Sequence, residues 1–159
     1  MEYSIRDAEA KDMAQVHQLI KELAVFEKEE NAVEVTVADL IRDGFGTNKL
    51  FHCYVAVTNG SVVGLALLYN RYSTWKGPII HLEDLIVTEA MRGSGLGAAL
   101  LTKVVEHGYQ LGVKRISWEV LEWNDPAISF YESKGAKVLR DWNVVHLDEK
   151  GIKTFLNKL

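Results

Sequence analysis

Ile79-Ile80-His81-Leu82-Glu83-Asp84-Leu85-Ile86-Val87 and, after a short link, Arg92-Gly93-Ser94-Gly95-Leu96-Gly97 form the stretch around which the chain is organised. The first run is rich in β-branched and apolar residues, as a strand buried on both faces is, with two carboxylates interrupting it. From there Leu96, Leu100, Val104 and Leu111 recur at helical spacing. The pattern therefore reads strand, tight glycine turn, helix, with the glycines on the helix N-terminus. The first N–H groups of a helix lack internal partners, and the helix dipole places partial positive charge there. Glycines keep side chains out of the way, so N–H groups can converge on phosphate oxygens while Arg92 adds a fixed charge. A pyrophosphate is the natural guest.

Three phosphate loops compete for this segment. A P-loop needs Lys-Ser/Thr after its last glycine, where this chain has Ala98-Ala99. A Rossmann fingerprint spaces its glycines Gly-x-Gly-x-x-Gly, whereas Gly93, Gly95 and Gly97 fall at every second position. The third pattern, Arg/Gln-x-x-Gly-x-Gly/Ala, is satisfied by Arg92, Gly95 and Gly97. In this the segment resembles the acetyl-CoA pyrophosphate loop of the GNAT family of N-acetyltransferases. A plain glycine-rich turn is the alternative reading of so short a motif.

The 159 residues suit one domain, 1–159, with enough chain to bury a core unaided. Hydrophobic residues make up 48% and charged residues 25%, ordinary for a globular protein, and the net charge of -4 argues against general nucleic-acid binding while favouring a cationic substrate. Cys53 is the only cysteine, so no internal disulfide forms, and its apolar strand suggests packing rather than reactivity. Glu2, Arg6, Asp7 and Glu9 make the N-terminus unlike a signal peptide, and the run from Val62 to Tyr69 is too short to span a bilayer. The expectation is a cytoplasmic protein with no membrane partner and no metal.

In chain order, Tyr3 to Arg6 is expected as a strand and Lys11 to Glu29 as a helix with Met13, Val16, Leu19, Ile20, Leu23 and Phe26 on one stripe. An acidic cluster of Glu27, Glu29, Glu30 and Glu34 follows, then a second helix capped by Thr36 and stopping near Gly44. Phe51 to Val57 and Ser61 to Tyr69 read as strands joined by an Asn59-Gly60 hairpin. Arg71 to Pro78 reads as an aromatic-rich loop, its aromatics either lining a site or tacking the loop down through Trp75. Beyond the central helix, Arg115 to Leu121 is expected as a strand with Ser117 and Glu119 on one face and Trp118 on the other. Asp125 and Pro126 read as the cap and first residue of a short helix ending at Gly135. Val138 to Leu147 reads as one or two strands, and Asp148 as the cap of a last helix. The fold class is α/β, a mixed, mostly antiparallel central sheet flanked by helices.

The resemblance narrows through Ile20-Lys21-Glu22-Leu23-Ala24-Val25-Phe26-Glu27, Asp43-Gly44-Phe45-Gly46, Tyr72-Ser73-Thr74-Trp75-Lys76-Gly77, Leu82-Glu83-Asp84, Trp123-Asn124 and Phe130-Tyr131-Glu132. These segments are similar to the spermidine/spermine (diamine) acetyltransferases and the thialysine acetyltransferases. The resemblance implies the GNAT fold, acetyl-CoA as donor, a small primary amine as acceptor and a homodimer.

It also implies roles. Glu83 matches the general base and Tyr131 the general acid that protonates departing CoA. A free amine near pKa ~10 and a carboxylate near ~4 are poorly matched for direct transfer, which favours a relaying water at Glu83; the other reading is a carboxylate that only binds the ammonium. A Tyr131 that merely bonds the sulfur or packs on pantetheine is the alternative for that residue. The backbone from Leu85 through Ile86 to Val87 matches positions that pair with pantetheine, Arg92, Gly93, Ser94, Gly95, Leu96, Gly97 and Ala98 hold pyrophosphate, and Asn124, Asp125, Pro126 and Ala127 border the cofactor.

For the acceptor the matching positions are Phe26, Glu27, Ser73, Ser117, Trp118 and Glu119. His81, where relatives usually carry tyrosine, is either a second base or a packed, hydrogen-bonded residue. Polyamine-preferring relatives carry aspartate where this chain has Ser73, and the segment around it resembles the thialysine branch. The implied activity is acetylation of a diamine, polyamine or lysine-like amino acid. Acetylation of protein lysines or N-termini, and a non-catalytic acyl-CoA-binding domain, are the alternatives.

Overall fold

Four antiparallel strands and one short parallel strand form the sheet of the computed structural model, which describes residues 2–159. Contacts divide the chain into two units, one ending at Glu119 and one spanning Val120–Leu159. The first contains β1 (Ser4–Asp7), α1 (Met13–Phe26), α2 (Val37–Phe45), β2 (His52–Thr58), β3 (Ser61–Ser73), β4 (Gly77–Val87), α3 (Leu96–Leu111) and β5 (Ile116–Ser117). Strand order follows chain order, antiparallel from β1 to β4 and parallel between β4 and β5.

The core follows from alternation. Cys53, Val55, Leu65, Leu67 and Ile86 meet Met13, Val16 and Leu19 of α1 and Leu40 of α2. The opposite face packs on α3: a Cβ placed on Gly64 would lie 3.1 Å from Leu100 Cδ1 and 3.6 Å from Leu96 Cδ2. The Asn59-Gly60 hairpin forms with φ of 48° and 78°, both positive as a primed turn requires. Thr36 caps α2, its Oγ1 accepting from Asp39 N at 3.1 Å while Asp39 Oδ2 accepts from Thr36 N at 2.9 Å.

Other boundaries moved. A short turn, Ala10–Asp12, precedes α1, which begins at Met13 rather than Lys11 and ends at Phe26. Most of the expected Arg71–Pro78 loop is strand: β3 runs to Ser73 and β4 starts at Gly77, leaving a three-residue turn with Trp75 exposed rather than tacked down. Polar side chains at this end of β3 concealed the ladder, which depends on backbone pairing, as between Arg71 and Ile79. β5 is limited to Ile116–Ser117 instead of Arg115–Leu121.

The second unit holds α4 (Asp125–Ser133) and α5 (Glu149–Leu156). Asp148 caps α5 as expected, accepting from Gly151 N at 2.7 Å. The N-cap of α4 is Asn124 rather than Asp125, with Asp125 and Pro126 inside the first turn. No strand forms between Val138 and Leu147. A strand requires a neighbour for its backbone groups, and in this unit Leu139, Trp142, Val144, Val145 and Leu147 remain exposed. Among the described residues no helix is long and apolar enough to cross a membrane.

Candidate active site

The site begins with an irregularity in β4. Leu67 of β3 pairs with Asp84, but the next residue, Leu68, pairs with Leu82, so Glu83 is an extra residue in the ladder. A bulge of this kind re-aims side chains. Asp84 stays opposite Leu67, on the face toward α1, while Glu83 Oε2 approaches His81 Nε2 at 3.7 Å, on the face that His81 shares with Tyr69. Two consecutive carboxylates thus serve one side of the sheet. Burial, with the charges of Glu83 and Glu27 added, pushes the Asp84 carboxyl up to about 6. Glu27, just past the end of α1, is raised for the same reason, burial first and then Glu29.

Below the bulge, β5 pairs with β4 only at Ile80 and His81. The β4 edge from Leu82 to Val87, which contains Leu85, Ile86 and Val87, therefore has no strand partner on that side. This is the local opening that an added, strand-like ligand needs.

The glycine turn then carries the chain from β4 into α3. Gly93 and Gly95 have φ of 75° and 83°, the left-handed region that glycine adopts without a Cβ penalty. The first helical bond of α3 is Ala99 N to Gly95 O at 3.1 Å. Among the described residues the N–H groups of Gly93, Ser94, Gly95, Leu96, Gly97 and Ala98 donate to no protein acceptor. Six consecutive free donors at a helix N-terminus fit a pyrophosphate. Arg92 is partly committed elsewhere: Nε donates to Val87 O at 3.3 Å, Nη2 lies 3.8 Å from Glu22 Oε1, and the guanidinium sits 5.1 Å from the centroid of the Phe26 ring. Glu22 also accepts from Glu89 N at 2.8 Å and Thr88 Oγ1 at 3.1 Å, tying α1 to the loop before the turn. Sequence reasoning gave Glu22 no role, and only its helical spacing from Phe26 hinted at one.

On the other side of the bulge lies a polar face. Tyr69, Arg71 and Ser73 of β3 stand opposite His81, Ile79 and Gly77 of β4, and Ser117 of β5 is paired with His81. His81 is buried, 6% exposed, with Nδ1 2.9 Å from Ser117 Oγ and 3.4 Å from Arg71 Nη1. A guanidinium only donates, so Nδ1 accepts and the ring proton sits on Nε2, toward Glu83. Burial holds this histidine below its ordinary range despite the opposing pull of Glu83. Nδ1, the ring nitrogen left without a proton, is thus turned toward Arg71 and Ser117. Ser73 Oγ accepts from Trp75 N and Lys76 N, each at 3.2 Å, closing the β3–β4 turn, and from Arg115 Nη1 at 3.4 Å. Glu119 lies beyond the end of β5, yet its charge acts on both Tyr69 and His81.

In the second unit, Tyr131 stands on α4 with its ring centroid 5.3 Å from that of Phe130, and Asn124 to Ala127 form the start of the same helix. Asp84, Arg71 and Arg115 were given no role from sequence. Asp84 was quoted among the motifs, but its burial depends on the bulge, and the two arginines meet the face only through strand register.

The profile of the acetyltransferase (GNAT) family matches residues 13–136. The chain is 39% identical over 152 residues to a human spermidine/spermine N(1)-acetyltransferase-like protein 1, covering 91% of this chain and 22% of that longer protein. It is 39% identical over 145 residues to a thialysine N-epsilon-acetyltransferase of Mus musculus, covering 86% of this chain and 85% of the relative. A solved integron cassette protein from V. cholerae shares the fold at a TM-score of 0.80 and 20% identity, covering 98% of each chain. With its α/β architecture and the profile spanning both carboxylates and the glycine turn, the chain belongs to the GNAT family of acetyltransferases.

Proposed function

We propose that this acetyltransferase moves the acetyl group of acetyl-CoA directly to a primary amine of a small molecule, a diamine, polyamine or lysine-like amino acid, with the whole chain working as one domain and as a homodimer in the cytoplasm. The observation that carries the reading is the bulge at Glu83, which separates a row of free N–H donors suited to pyrophosphate from a polar face suited to an amine. The glycine turn from Gly93 to Ala98 would hold the pyrophosphate, and the open edge from Leu85 to Val87 the pantetheine.

The amine attacks as the neutral base, so its ammonium proton must leave first. Glu83 takes that proton through a water, and the carboxylates of Asp84 and Glu27 draw the cationic amine toward it. The nitrogen then adds to the thioester carbonyl and gives up its second proton to solvent, the tetrahedral intermediate collapses with cleavage of the C–S bond, and Tyr131 donates its phenolic proton to the leaving thiolate and regains one from solvent. Cys53 takes no part as an acyl carrier, since burial pushes its thiol up to about 12.

The test is CoA release from acetyl-CoA with putrescine, spermidine, spermine, thialysine, lysine and a lysine peptide. Turnover with a free amine, abolished in Tyr131→Phe while acetyl-CoA still binds, is the expected result. Activity on the peptide alone would move the assignment to protein acetylation, and undiminished turnover in the variant would remove Tyr131 as the acid.

A further inference from the structure

Glu22 brings a carboxylate to within 3.8 Å of Arg92, the residue that opens the glycine turn. Near a site for phosphate such a charge works against binding, so its other partners must account for it. Both oxygens are engaged by the loop before the turn: Oε1 accepts from Glu89 N at 2.8 Å and Oε2 from Thr88 Oγ1 at 3.1 Å.

These two donors begin a single 3₁₀ turn, Glu89–Met91. The first N–H groups of such a turn have no acceptor within it and need one from outside. Thr88, at the N-cap position, makes no side-chain cap of its own; its hydroxyl donates to Glu22 instead. Glu22, one helical turn before Phe26 on α1, thus serves as an N-cap supplied by another helix.

The far end of the same turn runs straight into the glycine segment. Arg92 N donates to Glu89 O at 3.2 Å, and Ser94 Oγ reaches back to Met91 O at 2.6 Å. Met91 between them is buried. A continuous series of bonds therefore leads from the Glu22 carboxylate to the N–H groups of Gly93 to Ala98. The ion pair with Arg92 is the weaker part of the arrangement, since it is long and joins side chains 41% and 31% exposed. The bond to Glu89 N is short.

We propose that Glu22 is a positioning residue for the donor: it holds the Glu89–Met91 turn so that the glycine N–H groups behind it are set for pyrophosphate, and it acts through its reach rather than its charge. This rests on the acetyl-CoA reading above and adds a residue that lies outside the glycine motif, on the helix that carries Phe26.

Reach and charge can be separated by substitution. Glu22→Gln keeps an oxygen at the same distance from Glu89 N and offers Thr88 an amide, but carries no charge. Glu22→Asp keeps the charge and falls one methylene short. CoA affinity is measured by isothermal titration for the wild type, Glu22→Gln, Glu22→Asp and Glu22→Ala, together with hydrogen exchange at the Glu89 amide and at Leu65 in the core of β3. Glu22→Asp and Glu22→Ala are expected to bind CoA about tenfold more weakly and to exchange Glu89 faster, with Leu65 unchanged, while Glu22→Gln stays within about threefold of the wild type. Should Glu22→Ala fail to fold, the Asp and Gln pair decides. Equal CoA affinity in all four proteins, weak binding by Glu22→Gln beside normal binding by Glu22→Asp, or loss of protection at Leu65 as large as at Glu89 would each overturn the inference. A wild type that binds no CoA would refute the donor reading itself, and the inference with it.

Discussion

Replacing Asp84 by asparagine should stabilise the protein at pH 8 and lose that advantage near pH 4. Asp84 lies on the face of β4 that meets the α1 core, and burial with two neighbouring carboxylates raises its pKa from 3.8 to about 6. The carboxyl binds its proton more tightly folded than unfolded, so below about pH 4 it is neutral in both states and carries no penalty. The penalty grows between about pH 4 and 6 and is complete above that range. A shift of about two units at about 1.4 kcal/mol each corresponds to ~3 kcal/mol. Asparagine, similar in size and never charged, removes this cost, equivalent to a rise of about 6–12 °C in Tm for a chain of this size. Urea denaturation of both proteins at pH 4 and pH 8 isolates the charge, because any packing difference appears at both pH values. A difference in stability that is the same at the two pH values would refute the reasoning.

Three further outcomes follow from the same structure. Glu83→Gln should lower kcat by about 10²–10⁴-fold, with partial recovery as pH rises and solvent deprotonates more of the amine; a loss that stays constant with pH would count against the base role. Gly95→Ala, placed at a φ of 83°, should cost about 1–2 kcal/mol in thermal denaturation, whereas Gly97→Ala, whose new Cβ meets only Val87 Cγ2 at 3.9 Å, should cost far less; equal losses would show that backbone conformation is not the reason. With its thiol raised to about 12, native Cys53 at pH 8 should react with a thiol reagent orders of magnitude more slowly than in urea, and rapid native labelling would contradict its burial.

Features encoded over a few consecutive residues were legible in the sequence. The Asn59-Gly60 turn, the Thr36 and Asp148 caps and the glycine entry to α3 each depend on local backbone chemistry, and each forms at the expected residues. The polar face around His81 was less legible because it is assembled across strands. Arg71 resembled a loop residue, and its approach to His81 depends on the β3–β4 register, while Arg115 meets Ser73 only after the chain has passed through α3. His81 read from sequence as either a second base or a packed, hydrogen-bonded residue, and its tautomer required the positions of Arg71 and Ser117. The expected strands after Arg115 and Val138 had suitable composition, but a strand is completed by its neighbour, and the segment's own residues do not specify one.

The extra residue at Glu83 also acts as a phase shifter. Side chains along a strand alternate between faces, so two halves joined without it would have to keep step. With Glu83 inserted, odd-numbered residues from Gly77 to His81 face the same way as even-numbered Asp84 and Ile86. Deleting that one position would force one half to rotate, either turning His81 toward α3 or driving Asp84 and Ile86 out of the α1 core. The strand thus behaves as two independently keyed segments, one on each side of Glu83, and a shortened β4 could not hold both sets of side chains on their present faces.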